Sequence, residues 1–277
     1  MVRVAKRRRA GGGVRSLTAA AALAGALASA GVADARPLQE IRARGVLSLC
    51  AHPDALPFAS RKGDPPGFQI ELARALAERL GVGLDVQWIL VGFHYGRVDC
   101  DVIMDTIADR EAQRERPVRW SKPYQRSGVA LAVRPEADGI AGFDDLDGRH
   151  RVGVQIGSLA HMMLERRGVR TISFAFEGDM LDALAAGEID AAAVTPATVG
   201  YYYVTHPDAG LKLHHVYERV PELSWDLAVG MRRSDRFLRK AVDDAVDAIL
   251  ADGTVAGIYA RYGIEHRPPA TGARRAE

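Results

Sequence analysis

The chain has 277 residues, of which 48% are hydrophobic and 26% are charged, and its formal net charge is +2. Residues 1–35 hold six of the 37 Lys and Arg residues and one of the 35 Asp and Glu residues, so the remaining chain has a net charge of −3. A nucleic-acid-binding protein should carry a basic stripe with interleaved aromatic residues. The remaining chain mixes both signs at surface spacing, which argues against that class and predicts no nucleic-acid partner.

The first 35 residues have the pattern of a secretory signal peptide. A basic segment at 6–9 precedes an Ala- and Leu-rich stretch at 17–30, and Ala33-Asp34-Ala35 gives an A-x-A cleavage pattern. The apolar stretch is too short and too rich in alanine for a transmembrane helix. We therefore expect a Sec-type signal over 1–35 and an exported, periplasmic chain with no membrane span that begins near Arg36.

In the first half of the remaining chain, apolar periodicity predicts one helix among several strands. Phe68, Leu72, Leu76 and Leu80 recur at four-residue intervals, and Gly81 is typical of a helix end. Apolar residues alternate from Val82 to Trp88, as in a half-buried strand. Further short apolar strands are predicted at 46–50, 101–104 and 128–133.

The second half repeats this alternation of strands and helices. Strands are predicted at 151–155, 189–194, 211–216 and 227–231, and helices at 158–167, 177–186, from Thr195-Pro196 onward, from Ser234 to 249 and at 255–262. The helix after Ser234 is expected to turn Phe237 and Leu238 inward. Such alternation predicts an α/β fold with parallel-rich sheets. Polar junctions near Pro135 and Pro221 predict two lobes, a hinge and a cleft between the lobes, and the last residues, 267–277, are expected to be a disordered tail.

The loops at the carboxyl ends of the predicted strands supply the candidate ligand residues, because ligands of open α/β sheets bind there. Ser158 begins a helix whose NH groups could hold a ligand carboxylate, although helix capping alone also explains it. Phe58 is as well explained by a place in the core, and Asp54 by a place in a turn. The candidates for the ligand cleft at this point are Asp54, Phe58, Asp105, Thr106, Ser158 and Thr195.

The two cysteines, Cys50 and Cys100, give an open question. An oxidising compartment favours a disulfide. If their strands are parallel neighbours, however, the two residues are offset along the sheet by roughly 10 Å, whereas a disulfide needs Cα atoms within about 7 Å. A metal site that used both cysteines with His52 and His94 would lack the spacing of known sites, so no metal is expected. With no P-loop or GxGxxG sequence, no cofactor is expected either.

Five segments in the same order resemble family 3 periplasmic solute-binding proteins, over about residues 38–264. The segments are VLSLCAHPDALPF with GFQIELARALAERLGV, CDVIM with WSKPYQRSGVALAVRP, FDDLDGRHRVGVQIGS, AAGEIDAAAV and DAILADGTVAGIYARYG. Residues 49–58 and 100–104 also resemble a narrower branch of that family, the J component associated with quinoprotein methanol and alcohol dehydrogenases.

The resemblance implies a type II two-lobe fold. Lobe I would comprise 36–133 and 223–266, and lobe II 134–222. Amino-acid-binding members hold the ligand ammonium with an Asp that falls here on Thr195, and hold the carboxylate with an Arg, here Arg110 or Arg114. An ammonium without a carboxylate partner in a closed cleft would cost several kcal/mol, so a free amino acid is a poor candidate ligand. The connection between Trp88 and Cys100, around 93–95, is also short for a helical crossover.

Two non-catalytic functions follow from the resemblance. The first is a binding protein that works with a periplasmic PQQ-dependent methanol or alcohol dehydrogenase, docking on that enzyme or its cytochrome. The alternative is a solute receptor that delivers a small organic ligand to the permease of an ABC importer. A periplasmic dehydratase is a weaker alternative, which would use acids such as Asp105, Asp109 and Glu177 and lacks any base at a matching spacing.

Overall fold

The structure is a computed structural model that describes residues 35–90, 99–111, 113, 118–137 and 139–269. The expectations for the signal peptide before Ala35, the connection around 93–95, Arg114 and the last residues of the tail lie outside the described residues. The described helices are α1 (Leu38–Arg44), α2 (Phe68–Leu80), α3 (Leu159–Arg166), α4 (Glu177–Ala185), α5 (Pro196–Thr205), α6 (Arg236–Ala251) and α7 (Thr254–Arg261).

The described strands form two five-stranded sheets and one short hairpin. The strands are β1 (Val46–Ala51), β2 (Asp54–Ala55), β3 (Ala59–Ser60), β4 (Gly83–Trp88), β5 (Val102–Ile107), β6 (Val118–Gly128), β7 (Ala130–Val133), β8 (Arg151–Gln155), β9 (Arg170–Phe174), β10 (Ala191–Val194), β11 (Lys212–His214) and β12 (Ser224–Arg232).

Both large sheets have one strand that opposes the other four. The first has the order β4-β1-β5-β12-β6, in which β12 runs antiparallel to both neighbours. The second has the order β11-β7-β10-β8-β9, in which β7 runs antiparallel to both neighbours. The first sheet shares a hydrophobic core with α1, α2, α6 and α7, and the second sheet shares its cores with α3, α4 and α5. We call these two assemblies the first and second lobes, and this architecture confirms the predicted two-lobe α/β fold.

The lobes have separate hydrophobic cores. In the first lobe, the predicted apolar face of α2 is buried, and its aromatic residue Phe68 meets the ring of Tyr259 from α7 at 5.2 Å. In the second lobe, the central strands are buried on both faces, because Leu131 and Val133 join one apolar cluster and Ala132 joins the other. Such two-sided burial is typical of α/β sheets covered by helices.

Strand β6 was not predicted, and its sequence explains why. VRWSKPYQRSG is largely polar and contains Pro123, which usually argues against a strand. Here β6 is an edge strand, and Pro123 lies opposite Ala228 at a shift in register, where a missing NH is tolerated. Helix α1 and strand β9 were also not predicted.

One expectation for the start of α6 was wrong, the inward position of Phe237. The helix begins at Arg236 and is capped by Asp235, whose carboxylate accepts a hydrogen bond from the Leu238 NH at 2.7 Å. Phe237 is 59% exposed, and the guanidinium carbon of Arg236 lies over its ring, 4.7 Å from the ring centroid. The inward stripe is set by 3.6-residue periodicity from Leu238 onward, which leaves the preceding residue outside it.

Cys50 and Cys100 form a disulfide with a Cα–Cα distance of 5.6 Å. The expected offset along the sheet does not separate them, because Cys100 lies before the first residue of β5. Leu49 pairs with Val102, and the Asp101 NH donates to the Ser48 carbonyl, which keeps the chain ahead of β5 close to β1. Sheet register therefore does not fix the position of Cys100.

Helix α5 of the second lobe comes into close contact with the C-terminal segment of the first. A Cβ on Gly200 would lie 2.4 Å from the Gly263 carbonyl oxygen, and the ring of Tyr201 lies 5.9 Å from that of Tyr262. Tyr202 instead joins the second core, and the Tyr203 hydroxyl donates to a backbone carbonyl. One tyrosine of the three therefore packs against the first lobe.

We expect Gly200→Ala to lower the free energy of unfolding by about 1–3 kcal/mol, because the added methyl group overpacks this contact. Gly257→Ala is the matched control. Gly257 is also helical, but an added Cβ there meets nothing within 4 Å, so that variant should gain roughly 0.5–1 kcal/mol from helix propensity. Urea denaturation of both variants measures the difference, and equal effects would contradict the close contact.

Candidate functional site

A cavity of about 190 Å³ is lined by residues of both lobes. The first lobe contributes two residues from each of three adjacent strands. The two residues on each strand are i and i+2 neighbours, so both side chains point to the same face of the sheet. The second lobe contributes the start of α5. The strand pairs are Asp105 and Ile107 of β5, Trp225 and Leu227 of β12, and Gln125 and Ser127 of β6, and they face Thr195, Pro196 and Ala197.

Asp105 provides a carboxyl group at the wall formed by the first lobe. Its Oδ1 accepts a hydrogen bond from the Tyr124 hydroxyl at 2.6 Å, and its Oδ2 accepts one from Gln69 Nε2 at 2.6 Å. Burial raises the pKa of Asp105, and these two hydrogen bonds offset part of that rise. Asp105 also has a φ of 54°, a conformation that costs about 1–3 kcal/mol for residues other than glycine and is concentrated at functional sites.

Thr195 lies at the opposite wall, where it caps helix α5. Its hydroxyl donates to Glu177 Oε2 at 2.6 Å, and its NH donates to Glu177 Oε1 at 3.0 Å. The Thr198 hydroxyl also donates to Glu177 Oε2, at 2.5 Å. Burial raises the pKa of Glu177. The Thr195 hydroxyl oxygen also accepts a hydrogen bond from the Thr198 NH at 3.4 Å, so its hydrogen bonds are made to Glu177 and to its own helix.

Aromatic rings form much of the remaining wall. Phe58, at the end of the β2–β3 turn, lies 5.2 Å from the ring of Phe68, which in turn packs on Tyr259. Trp225 lines the cavity and also packs against the core of the second lobe. Trp225 therefore contributes to both surfaces.

Three of the predicted cleft residues, Phe58, Asp105 and Thr195, line this one cavity. The other four are not among its lining residues. Asp54 is exposed and lies 3.6 Å from Lys62, and Arg110 is exposed in the turn after β5.

Ser158 accepts a hydrogen bond from the His161 NH at 3.1 Å, and so caps α3 as predicted. Thr106 pairs with Ala228 in the sheet, and its hydroxyl side lies against Gly230. Thr106 alternates with Asp105 along β5, so the two side chains point to opposite faces of the sheet.

Sequence reasoning missed Gln125, Ser127 and Leu227 as cavity residues. The alternation of side chains along a strand could have indicated them, because each lies two positions from another cavity residue on the same strand. That signal requires β6 to be recognised as a strand, and its proline and polar composition hid it.

A sequence model of the family described as bacterial extracellular solute-binding proteins, family 3, matches residues 47–265. The chain belongs to family 3 of the bacterial extracellular solute-binding proteins. Among the described residues of this family 3 protein, no helix is both long and apolar enough to cross a membrane. Within the same residues, His, Cys, Asp and Glu form no group of three that could hold a metal ion.

Two relatives of this family 3 protein are named for amino-acid binding. The L-cystine-binding protein TcyJ of Escherichia coli K12 is 26% identical over 253 residues, which cover 88% of this chain and 92% of TcyJ. The probable amino-acid-binding protein YxeM of Bacillus subtilis is 28% identical over 232 residues, covering 78% of this chain and 83% of YxeM.

Solved structures show the same two-lobe fold. An ancestral arginine-binding protein bound to glutamine matches with a TM-score of 0.60 and 26% identity, covering 79% of this chain and 98% of that one. An ancestral cationic amino acid solute-binding protein matches with a TM-score of 0.69 and 24% identity, covering 82% and 99% of the two chains.

The raised pKa of Asp105 predicts a pH dependence of stability without ligand. Between the ordinary Asp pKa, about 4, and the raised value, the folded state binds more protons than the unfolded state. Stability should therefore fall as pH rises through that window. Asp105→Asn should reduce this slope, leaving the part due to Glu177. Urea midpoints between pH 4 and pH 7 measure the effect, and an unchanged slope would contradict it.

Proposed function

We propose that this family 3 protein is a non-catalytic, periplasmic solute receptor, which closes its two lobes on a small organic ligand and delivers the ligand to the permease of an ABC importer. The observation that carries this proposal is the cavity lined by both lobes, with Asp105 on one side and Thr195 on the other. A ligand that touches both walls stabilises the closed arrangement over the open one, which is the signal such a receptor gives.

The size of the cavity limits the ligand. Sites for drug-sized molecules measure about 300–1,000 Å³, and this cavity measures about 190 Å³. The ligand is therefore a small metabolite that is largely enclosed on binding. The lobe boundaries proposed from the sequence are 36–133 with 223–266 for lobe I and 134–222 for lobe II. Strand β7 (Ala130–Val133) instead pairs with β10 and β11 of the second sheet, which favours a hinge near Gly128 and Ser224, paired in the first sheet.

A quinoprotein dehydrogenase system is the second candidate partner. The two segments that carry that resemblance, 49–58 and 100–104, are joined by the Cys50–Cys100 disulfide and so form one unit. In this case the protein would dock on a methanol or alcohol dehydrogenase or its cytochrome. The relatives reported above are named for amino-acid binding, which favours the receptor.

Enzyme activity is the weaker alternative. The two acids beside the cavity, Asp105 and Glu177, are held by hydroxyl, amide and backbone donors. General acid–base chemistry needs a group placed to exchange a proton with the substrate, and Glu177 is separated from the cavity by Thr195. This arrangement favours binding over catalysis.

Two measurements test the receptor. Native mass spectrometry of the protein purified from periplasm, without refolding, should show a bound small molecule that denaturation releases. The tagged protein should also recover a permease and an ATPase after crosslinking in intact cells. Recovery of a dehydrogenase or cytochrome without a permease would replace the first proposal with the second, and the absence of any releasable ligand would count against both binding roles.

A further inference from the structure

The first-lobe wall of the interlobe cavity presents a hydrogen-bond acceptor to a ligand. Asp105 lines that wall as a carboxyl group, and its hydrogen-bond donors, Tyr124 and Gln69, are uncharged. On the second-lobe wall, the Thr195 hydroxyl donates to Glu177 and accepts from the Thr198 NH at 3.4 Å. The Asp105 wall therefore suits a ligand that donates.

Basic groups are missing from the lining in the part of the chain that the structure describes. Besides Asp105 and Thr195, the lining side chains with polar atoms are Gln125, Ser127, Trp225 and Tyr259, all uncharged donors or acceptors. Gln125 is already committed, since its Nε2 donates to the Glu265 carbonyl at 3.1 Å and its Oε1 accepts from the Arg267 NH at 2.9 Å. A ligand carboxylate in this cavity would lie near Asp105 without a described cation to compensate it, and burying such a charge unpaired is costly.

The apolar part of the wall also favours a cation. Phe58, Trp225 and Tyr259 place three aromatic side chains around the same small space. Aromatic faces attract ammonium groups, by about 0.5–2 kcal/mol depending on desolvation. Burial raises the pKa of Asp105 because the carboxylate loses hydration, and an ammonium group beside it would favour the ionised form.

We propose that the ligand of this site is a small organic amine with an apolar body and no carboxylate, whose ammonium group is held by Asp105 and whose opposite side packs on the aromatic wall near Thr195. This inference depends on the receptor function proposed above and specifies its ligand class. It differs from the zwitterionic amino acids for which the relatives are named, because those carry a carboxylate that the described cavity does not match.

A free amino acid is disfavoured by its carboxylate, and not by its ammonium as the sequence indicates. In the sequence, Thr195 in place of an Asp leaves the ammonium unpaired. In the structure, Asp105 lies on the other wall and Glu177 lies directly behind Thr195. An ammonium has an acidic partner here, and the unmatched group is the ligand carboxylate.

Two matched series of ligands test the inference by calorimetry with the exported chain freed of bound ligand. The first series is pentylamine, norleucine and pentan-1-ol, and the second is 2-phenylethylamine, phenylalanine and 2-phenylethanol. Each series keeps the apolar body and changes only the polar end. In at least one series, the amine should bind about tenfold or more tightly than both the amino acid and the alcohol, since a lost charge-assisted contact costs at least that much.

A variant isolates the role of Asp105. Asp105→Asn keeps the size of the side chain and suits a positive φ, and it should weaken amine binding by about 10–100-fold while leaving alcohol binding within twofold. Asp244→Asn is the matched control, because Asp244 is exposed on α6 and paired with Lys240. It removes the same charge and should not change amine affinity. Thermal unfolding of both variants confirms that each is folded.

The outcomes separate this inference from the receptor function. If the amino acids bind as tightly as the amines, or if no amine binds at millimolar concentration, the amine inference is wrong. The receptor can still hold in that case, provided native mass spectrometry finds another releasable ligand. If amine binding survives Asp105→Asn unchanged, the assignment of the ammonium site is wrong.

Discussion

Replacing Cys50 and Cys100 together by alanine is expected to lower the free energy of unfolding by about 4 kcal/mol. The disulfide closes a loop with a sequence separation of 50 residues, and a crosslink of that span removes about this much chain entropy from the unfolded state. Both side chains are buried, at 2% and 5% exposure, so the alanines also leave some unfilled space. Urea denaturation under oxidising conditions measures the loss.

The reductant provides the control for this prediction. Dithiothreitol should bring the urea midpoint of the original protein close to that of the double variant and should leave the variant unchanged. A reductant-insensitive midpoint in the original protein would mean that the two thiols are not crosslinked. Because the disulfide joins the strand before the Phe58 turn to the strand that ends near Asp105, ligand affinity is expected to fall with stability.

The elements that sequence predicted well are those with strong apolar periodicity. Helix α2 has four apolar residues at four-residue spacing and a glycine at its end, where the αL conformation is needed and φ is 76°. Strand β10 is a short apolar run that is buried along its whole length. In such segments, local pattern and tertiary burial agree, so one sequence is sufficient evidence.

The elements that sequence missed are governed by their neighbours. Strand β6 is polar and interrupted by Pro123, and it exists because β12 supplies its hydrogen-bonding partner. The position of Cys100 depends on its disulfide with Cys50 and on the hydrogen bond from the Asp101 NH to the Ser48 carbonyl. No local sequence pattern indicates either contact. Edge strands and chain returns are set by tertiary contacts that a single sequence does not specify.

Only some residues of the candidate site were predicted, because the others are also placed by tertiary contacts. The strand-end rule found Phe58, Asp105 and Thr195, although β5 continues past Asp105 to Ile107. Ser158 obeys the same rule, but it does not line the cavity. Glu177 was considered only as a catalytic acid, and its hydrogen bonds to Thr195 require a contact between residues 18 positions apart. The strand-end rule therefore identified the region of the site but not the hydrogen bonds between its polar side chains.

Asp101→Asn is expected to destabilise the protein by about 3–5 kcal/mol, because it breaks a buried ion pair and leaves the Arg36 guanidinium with the exposed Asp99 carboxylate, 3.5 Å away. The Arg36 and Asp101 side chains are 7% and 1% exposed, and their closest atoms are 2.7 Å apart. The carboxylate also accepts hydrogen bonds from the backbone NH groups of Arg36 and Ser48. This pair fixes the start of the described chain to the end of the disulfide-linked segment.

Glu40→Gln is the matched control for that substitution. Glu40 also pairs with an arginine, Arg44, but the two side chains are about half exposed and 3.9 Å apart, so its loss should cost less than about 0.5 kcal/mol. Urea denaturation of the two variants at the same pH gives the comparison. A cost below about 1 kcal/mol for Asp101→Asn would show that the guanidinium of Arg36 finds water or another acceptor, since an unpaired buried charge costs several times more. In that case, the pair would not anchor the chain start to the first sheet.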